Sequence, residues 1–327
     1  MLSPAKYAYA NTRVRAIKSK ELIPKEHLRR AEKFKSLEDL VALMETYGYK
    51  VNAPALDSIK NALISKLLEI QKIAFFVRDQ KVRSFIQLFF RRYEVFALRW
   101  LLANNSRNKL FESLLSDEIK EKLESLYEAK TISDLKDAFS NTIYEKEIEK
   151  IEDGATNPRF EIFMALERSL LLSLWEKLSD LSKHDAEAAK KNIGLEIDVL
   201  NLISALKFDS NSRVNIEDCL IPIYFKIDED KLLALAKAPV EEKTYILKET
   251  NYGKVVPDSK DLFLMEMELK RFLVRENERD FRSEMFSIAT ILSFLRLKES
   301  EINNLEALAI SIENSLTQEE VRSLLTI

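Results

Sequence analysis

Three landmarks recur in the same order, three times, along the amino-acid sequence. Each set has an apolar pair that closes a loop, a short segment that ends in threonine and tyrosine, and an acidic residue four positions before a leucine. The sets are Leu22-Ile23-Pro24, Thr46-Tyr47-Gly48 and Glu94 with Leu98; Leu114-Leu115-Ser116, Thr142-Ile143-Tyr144 and Asp198 with Leu202; and Leu220-Ile221-Pro222, Thr250-Asn251-Tyr252-Gly253 and Glu301 with Leu305. Successive leucines are 104 and 103 residues apart. Self-similarity at a fixed period is the signature of a repeated structural unit, so the sequence predicts three copies of one module.

Two long helical patterns lie between the second and third landmarks of every copy. In the first copy, apolar residues spaced three and four apart share one stripe of a helix: Leu56, Ile59, Leu63, Leu67 and Ile70. The long helices are predicted at 56–77, 82–102, 159–181, 185–206, 259–274 and 281–297, the last continuing towards 308. Only 221–227 has the composition of an extended segment, so we predict an all-α fold with almost no sheet.

The predicted modules cover residues 1–112, 113–213 and 214–327. The chain has only 4 glycines and 7 prolines, which favours long helices over tight turns. Three such modules either line up as a rod or close on each other around a hollow. The repeat is compatible with both arrangements.

The sequence lacks the residues that several kinds of catalytic site require. A P-loop needs two glycines before a lysine, and a dinucleotide-binding turn needs three glycines within six residues. The glycines are widely separated: Gly48, Gly154, Gly194 and Gly253. One cysteine and two histidines are too few for a zinc site. We therefore expect no catalytic residue, no metal ligand, no cofactor and no small-molecule substrate.

Charge is distributed unevenly along the chain. Residues 1–100 carry 20 Lys and Arg against 10 Asp and Glu, so the rest of the chain is strongly acidic. Residues 1–35 hold 10 basic and 3 acidic residues. The asymmetry indicates either two faces with different partners or an ordinary dipolar surface. Because the basic residues punctuate apolar helix positions and the whole chain is acidic, we do not expect a nucleic-acid partner.

No stretch approaches the ~20 apolar residues that a membrane-spanning helix needs. The start of the sequence also lacks the layout of a secretory signal. Cys219 stands alone, so no internal disulfide is expected, and a reducing compartment suits the chain. We expect a cytoplasmic protein whose contact with a membrane is peripheral.

The repeated acids Glu94, Asp198 and Glu301 have two interpretations. In the first they cap or pair with a neighbouring helix, since each lies one turn before a core leucine. In the second they surround a central opening and meet a basic shaft. The amides Asn201 and Asn304 match each other in the repeat, whereas the first copy has alanine at that position.

Three segments resemble the C subunit of archaeal-type (V/A-type) ATP synthases, a family that includes the d subunit of eukaryotic V-ATPases. Residues 7–16 (YAYANTRVRA) resemble the start of that subunit. Residues 194–202 (GLEIDVLNL) and 298–305 (KESEINNL) resemble its central and last motifs, in which an acid precedes Asn-Leu. Ala97 departs from the family pattern, which often has asparagine there.

The resemblance implies a funnel-shaped body of three similar helical domains around a pseudo-threefold axis. It implies a non-catalytic central-stalk (rotor) subunit at the cytoplasmic face of the membrane. Its partners would be the D and F subunits of the central shaft and the proteolipid (c/K-type) ring, and its role would be to couple ATP synthesis or hydrolysis to ion translocation. Arg13 and Arg15, in the opening motif, are candidate interface residues; the candidate repeat-motif residues are Glu94, Asp198, Asn201, Glu301 and Asn304.

Two alternatives belong to other classes of protein. A helical-repeat adaptor of an unrelated assembly would show the same triplication, as an open solenoid with a concave groove. An enzyme that uses carboxylates and a metal would show a tight cluster of acids in a buried pocket.

Overall fold

The computed structural model describes residues 5–154, 158–209, 215–283 and 286–327. Helices make up 74% of these residues, and no β-strand occurs among them. The predicted all-α class is confirmed. Residues 221–227, predicted as extended, form an irregular loop without strand pairing.

The described ranges contain eighteen α-helices. In chain order they are α1 (Ala5–Glu21), α2 (Lys25–Ala31), α3 (Leu37–Thr46), α4 (Leu56–Ile70), α5 (Gln80–Asn104), α6 (Lys109–Glu112), α7 (Asp117–Lys120), α8 (Leu123–Glu128), α9 (Ile132–Phe139), α10 (Glu145–Ile148), α11 (Pro158–Lys177), α12 (Lys183–Lys207), α13 (Ile216–Cys219), α14 (Glu229–Lys237), α15 (Val240–Lys248), α16 (Leu262–Ser283), α17 (Ile288–Glu313) and α18 (Gln318–Leu324). Two short 3-10 helices, Gln71–Phe76 and Leu178–Asp180, extend the ends of α4 and α11.

The three pairs of long helices are α4 with α5, α11 with α12, and α16 with α17. The second helix of each pair begins at a residue whose side chain accepts a hydrogen bond from the first turn. These N-caps are Asp79, Ser182 and Ser287. Short polar side chains satisfy backbone N–H groups that a helix start otherwise leaves unpaired. The second long helix therefore starts in the same way in every copy.

Three predicted helix boundaries are wrong, and one of them is the start at 281, because α17 begins at Ile288. The predicted break between 274 and 281 does not exist, because α16 continues to Ser283. The apolar pattern disappears over residues 275–280, yet charged side chains form helix well and pair across one turn, as Arg279 does with Glu276. In the first pair, α4 ends at Ile70 and the remaining predicted residues up to Phe76 form a 3-10 helix.

The repeated leucines lie at matching places in the second long helices and are all buried. Leu98, Leu202 and Leu305 are 1%, 0% and 0% exposed. Leu202 belongs to a separate apolar core built by residues 195–269, whereas Leu98 and Leu305 belong to a larger core that runs from Tyr7 to Leu325. Helix α17 packs against α16 and α12 and also against α4 and α1. The last third of the chain is therefore in direct contact with the first.

Candidate functional site

Glu94, on α5, is held by donors from the landmarks of the following copy. The Tyr144 hydroxyl donates to Oε1 at 2.7 Å, and the backbone N–H of Ser116 donates to Oε2 at 2.5 Å. The Glu94 side chain is buried. A buried carboxylate is tolerated only where hydrogen bonds replace its water, and here both oxygens are satisfied.

Asp198, on α12, has the same arrangement. Its Oδ2 accepts from the Tyr252 hydroxyl at 2.7 Å and from the backbone N–H of Lys226 at 2.7 Å. The backbone N–H of Phe225 donates to Oδ1 at 2.9 Å. The irregular loop at 221–227 is thus the segment whose free backbone N–H groups this carboxylate binds.

Glu301, on α17, completes the series by reaching back to the start of the chain. The Tyr49 hydroxyl donates to Oε1 at 2.6 Å, and the backbone N–H of Ile23 donates to Oε2. These partners are 252 and 278 residues away in sequence. Each of the three acids therefore accepts hydrogen bonds from a tyrosine hydroxyl and from backbone N–H groups of a loop at, or up to five residues after, an apolar pair. Burial and full hydrogen bonding favour the first interpretation of the acids, as residues that pair with neighbouring elements.

The electrostatic surroundings of the three carboxylates differ. Arg91 lies 3.2 Å from Glu94, and Lys298 forms an ion pair with Glu301. The corresponding position before Asp198 is Leu195, and no ion pair to Asp198 occurs among the described residues. Burial raises the pKa of Asp198, while the donors Tyr252, Phe225 N–H and Lys226 N–H act in the opposite direction.

The three tyrosines remain neutral hydrogen-bond donors. Burial, together with the adjoining carboxylate, raises the pKa of Tyr49, Tyr144 and Tyr252 far above the usual value. A phenol that does not ionise keeps its proton and donates a hydrogen bond to the carboxylate beside it.

The repeat pattern assigned the wrong tyrosine to the first copy. Tyr47 hydrogen-bonds to Nδ1 of His27 at 2.7 Å, and Tyr49 takes the place of Tyr144 and Tyr252. The turn before Tyr49 contains one more residue than the others, and Gly48 there adopts φ 80°, a left-handed conformation that suits glycine. The Thr-x-Tyr spacing of the other two copies shows that Tyr47, which directly follows Thr46, is out of register.

The two matching asparagines have different partners. Asn201 donates through Nδ2 to the carbonyl oxygen of Ile221 at 3.0 Å and accepts from the N–H of Ile221 at 2.8 Å. Asn304 accepts from the N–H of Thr326 at 2.8 Å. Each amide fastens an irregular segment onto a long helix. Ala97, the equivalent in the first copy, is fully buried.

A second contact between the copies, which the repeat pattern did not reveal, involves the residues two positions before the repeated acids. Arg92, Glu196 and Glu299 occupy this position in the three copies. Arg92 lies 3.2 Å from Glu196 and 3.4 Å from Glu299, and Arg296 forms ion pairs with both glutamates. Burial raises the pKa of Glu299 and Arg92 lowers it. We call these four side chains, together with the Phe89 ring beneath both arginines, the central cluster.

A hollow of about 350 Å³ lies beside the central cluster. Helices α4, α5, α11, α12 and α17 all contribute to its walls. The lining combines apolar and aromatic side chains, including Phe96 and Trp100, with the charged groups of Arg92, Glu196 and Glu299. Phe96 is 43% exposed, a large apolar surface for a side chain in a concave site.

The two candidate arginines of α1 differ in their surroundings. Nη2 of Arg15 donates to the carbonyl oxygen of Phe281 at 2.8 Å, and its guanidinium lies 4.8 Å from the Phe281 ring centre. Arg13 is exposed and lies 5.2 Å from the ring centre of Phe76. Arg15 thus joins α1 to α16, whereas Arg13 presents its charge to solvent.

The described ranges hold no arrangement typical of a metal centre or a membrane span. No group of three or more histidine, cysteine, aspartate or glutamate side chains is placed there to hold a metal ion. None of the helices in those ranges combines the length and apolar content needed to cross a bilayer. Cys219 is a buried free thiol whose pKa is raised by burial.

Comparison with known proteins places this architecture in a family. Residues 10–324 match the model of the ATP synthase (C/AC39) subunit. The chain is 27% identical to the A-type ATP synthase C subunit of Desulfurococcus sp. (strain SY), over 97% of this chain and 90% of the relative. It is 25% identical to the proteins of the same name from Thermococcus kodakarensis, over 97% and 89% of the two chains, and Methanosarcina mazei, over 98% and 93%. The chain therefore belongs to the ATP synthase (C/AC39) subunit family.

Proposed function

We propose that this chain is a non-catalytic central-stalk subunit of a V/A-type ATP synthase, linking the rotor shaft to the proteolipid ring. The observation that carries the proposal is the family match over residues 10–324. Relatives named as the C subunit of A-type ATP synthases align over all three repeats together. The spacing of the four glycines, which leaves no room for a phosphate-binding loop, supports a role without nucleotide chemistry.

We propose further that the modules 1–112, 113–213 and 214–327 close around a pseudo-threefold axis as a funnel. Support comes from the order of the contacts between the repeated acids and tyrosines. The acid of each proposed module binds the tyrosine of the next, and Glu301 of the third binds Tyr49 of the first. An open row of modules would leave its terminal acid without such a partner.

In this proposal the hollow beside the central cluster receives the end of the shaft formed by the D and F subunits. Its exposed aromatic surface and mixed charges suit a protein partner. Another face rests on the c/K-type ring at the cytoplasmic side of the membrane, as a peripheral contact. Coupling ATP synthesis or hydrolysis to ion translocation then depends on the stiffness of the helices and on the two interfaces.

Reconstitution of the membrane complex with and without this chain tests the proposal. Without the chain, ATP hydrolysis by the soluble head should persist while ATP-driven ion pumping is lost. A complex that pumps normally without it would refute the coupling role.

Arg13 is the better of the two arginine candidates for an interface, because Arg15 already bonds within the chain. The Arg13→Glu variant should reduce pumping more than hydrolysis in the reconstituted complex. Lys254→Glu, an exposed charge reversal elsewhere, is the matched control. Equal loss of both activities in the Arg13 variant, or no loss, would remove Arg13 from the interface.

A further inference from the structure

A groove of about 680 Å³ lies between α2, α16 and α18, away from the central cluster. Six cationic side chains line it: Arg29, Arg30, Lys33, Arg271, Arg275 and Arg322. Only two acidic side chains, Glu32 and Glu268, contribute to the same lining. None of its residues lines the hollow beside the central cluster, so the groove is a separate surface.

Both carboxylates of the groove are already paired. Buried Glu32 lies 3.1 Å from Arg322. Glu268 lies 2.8 Å from Arg271 and 3.7 Å from Arg275. The positive charge that remains comes from cations that these acids do not neutralise.

Three of the cations have no ion-pair partner among the residues that the structure describes. Arg29, Arg30 and Lys33 lie at the end of α2 and just beyond it, and all three side chains are exposed. A surface that holds several unpaired cations close together repels itself, and an anionic partner relieves that repulsion.

Further arginines continue from the groove along α16, where each also pairs with a glutamate of the same helix: Arg271 and Arg275 with Glu268, Arg279 with Glu276, and Arg282 with Glu278. Arg271, Arg275, Arg279 and Arg282 are spaced four, four and three residues apart, which places them on one side of the helix. At 1.5 Å per residue this row is about 16 Å long. A second, shallower depression of about 350 Å³ is lined by Arg275, Arg279 and Arg282 together with Glu278 and Ser283.

We propose that this groove and the row of arginines on α16 dock an acidic helical segment of a partner protein. A row about three helical turns long fits a helix with carboxylates at i and i+4 better than it fits one compact anion. Arginine forms paired, planar hydrogen bonds with carboxylates. The inference does not depend on the coupling role, because it rests on residues that do not line the hollow beside the central cluster.

Other anionic partners fit the groove less well. A bilayer surface is flat, whereas the groove is a depression between three helices. Single-stranded nucleic acid is bound on aromatic platforms, and neither the groove nor the second depression has an aromatic lining residue.

Fluorescence anisotropy with the full-length chain tests the proposal. The probe is a labelled helical peptide of about 20 residues, ~30 Å long, with glutamates at i and i+4 along one face. We expect saturable binding that weakens as salt is added, because exposed charge pairs are screened. A peptide with glutamine at those positions should not bind.

The variant that removes the three unpaired cations is Arg29→Ala/Arg30→Ala/Lys33→Ala. It should bind the peptide about tenfold more weakly, as expected when several exposed charge pairs are lost together. Lys130→Ala/Lys146→Ala/Lys254→Ala removes the same charge from exposed positions elsewhere and should bind like the unchanged chain. Circular dichroism of both variants verifies that they are folded.

Three outcomes would overturn the proposal. The first is the absence of saturable binding to the acidic peptide. The second is an equal loss of binding in both triple variants, which would indicate attraction by overall charge alone. The third is binding to anionic vesicles, lost in the groove variant, without binding to the peptide, which would assign the surface to the membrane.

Discussion

The hydroxyl of Tyr49 offers a test of the contact between the first and last thirds of the chain. Tyr49→Phe removes the donor that lies 2.6 Å from Oε1 of Glu301 and keeps the aromatic ring. The ring is also 4.7 Å from Nζ of Lys298, and phenylalanine preserves that contact. The change therefore isolates one hydrogen bond.

The expected cost follows from the surroundings of that bond. Both side chains are 3% exposed, so water cannot replace the lost donor. Hydrogen bonds to charged groups contribute about 1.5–3 kcal/mol. Glu301 keeps its bonds to the N–H of Ile23 and to Lys298. We therefore expect the free energy of unfolding to decrease by an amount within that range and by no more.

Urea unfolding followed by circular dichroism measures the change, with Tyr245→Phe as the control. Tyr245 is 69% exposed, and its variant should differ from the unchanged chain by less than about 0.5 kcal/mol. A double-mutant cycle of Tyr49→Phe with Glu301→Gln should give a coupling energy of about 0.5–3 kcal/mol. A coupling energy near zero, or a loss no larger than that of Tyr245→Phe, would refute the reasoning.

Three further predictions concern the core, a buried acid and nucleotide binding. Leu202→Ala should lower the free energy of unfolding by about 2–5 kcal/mol, and an unchanged urea midpoint would contradict its burial. The pKa of Asp198 is higher in the folded chain than the value of about 3.9 expected for the unfolded chain. The stabilisation that Asp198 provides is therefore fully present below about pH 3.9 and is lost as pH rises through the folded pKa. In urea titrations, the stability difference between the unchanged chain and Asp198→Asn should therefore become smaller from acid to neutral pH. A difference that becomes larger over that range would contradict a raised pKa of Asp198. Calorimetric titration of the isolated chain with ATP and magnesium should give no saturable heat, and a micromolar site would revive an enzymatic role.

The long helices were predictable because their apolar residues recur at helical spacing over many turns. The continuity of α16 was not predictable from its apolar residues, because residues 275–280 have no apolar periodicity. Charge pairs such as Arg279 with Glu276 stabilise the helix there. Tyr49 was missed because Gly48 adds one residue to its turn and shifts the alignment of the repeat.

The central cluster was not predictable from the repeat for a different physical reason. Internal repeats are recognised by similar residues at equivalent positions. Side chains that meet one another need complementary charges instead, and Arg92 therefore stands where the other copies have Glu196 and Glu299. The position, two residues before each acid, could be identified in the sequence. Its signal was a difference in charge between the copies and not a similarity.

This mixture of charges has a consequence for the symmetry that the chain can have. In a homotrimer of one module, the position of Arg92 would be occupied three times by the same residue. Three glutamates or three arginines within about 4 Å of each other would repel, so in such a trimer the residues at this position could not form ion pairs with one another. Joining the copies in one polypeptide removes that restriction, since each copy varies on its own. The ion pairs that Arg92 forms with Glu196 and Glu299, its own equivalents in the other copies, are thus a feature that only unequal copies can build.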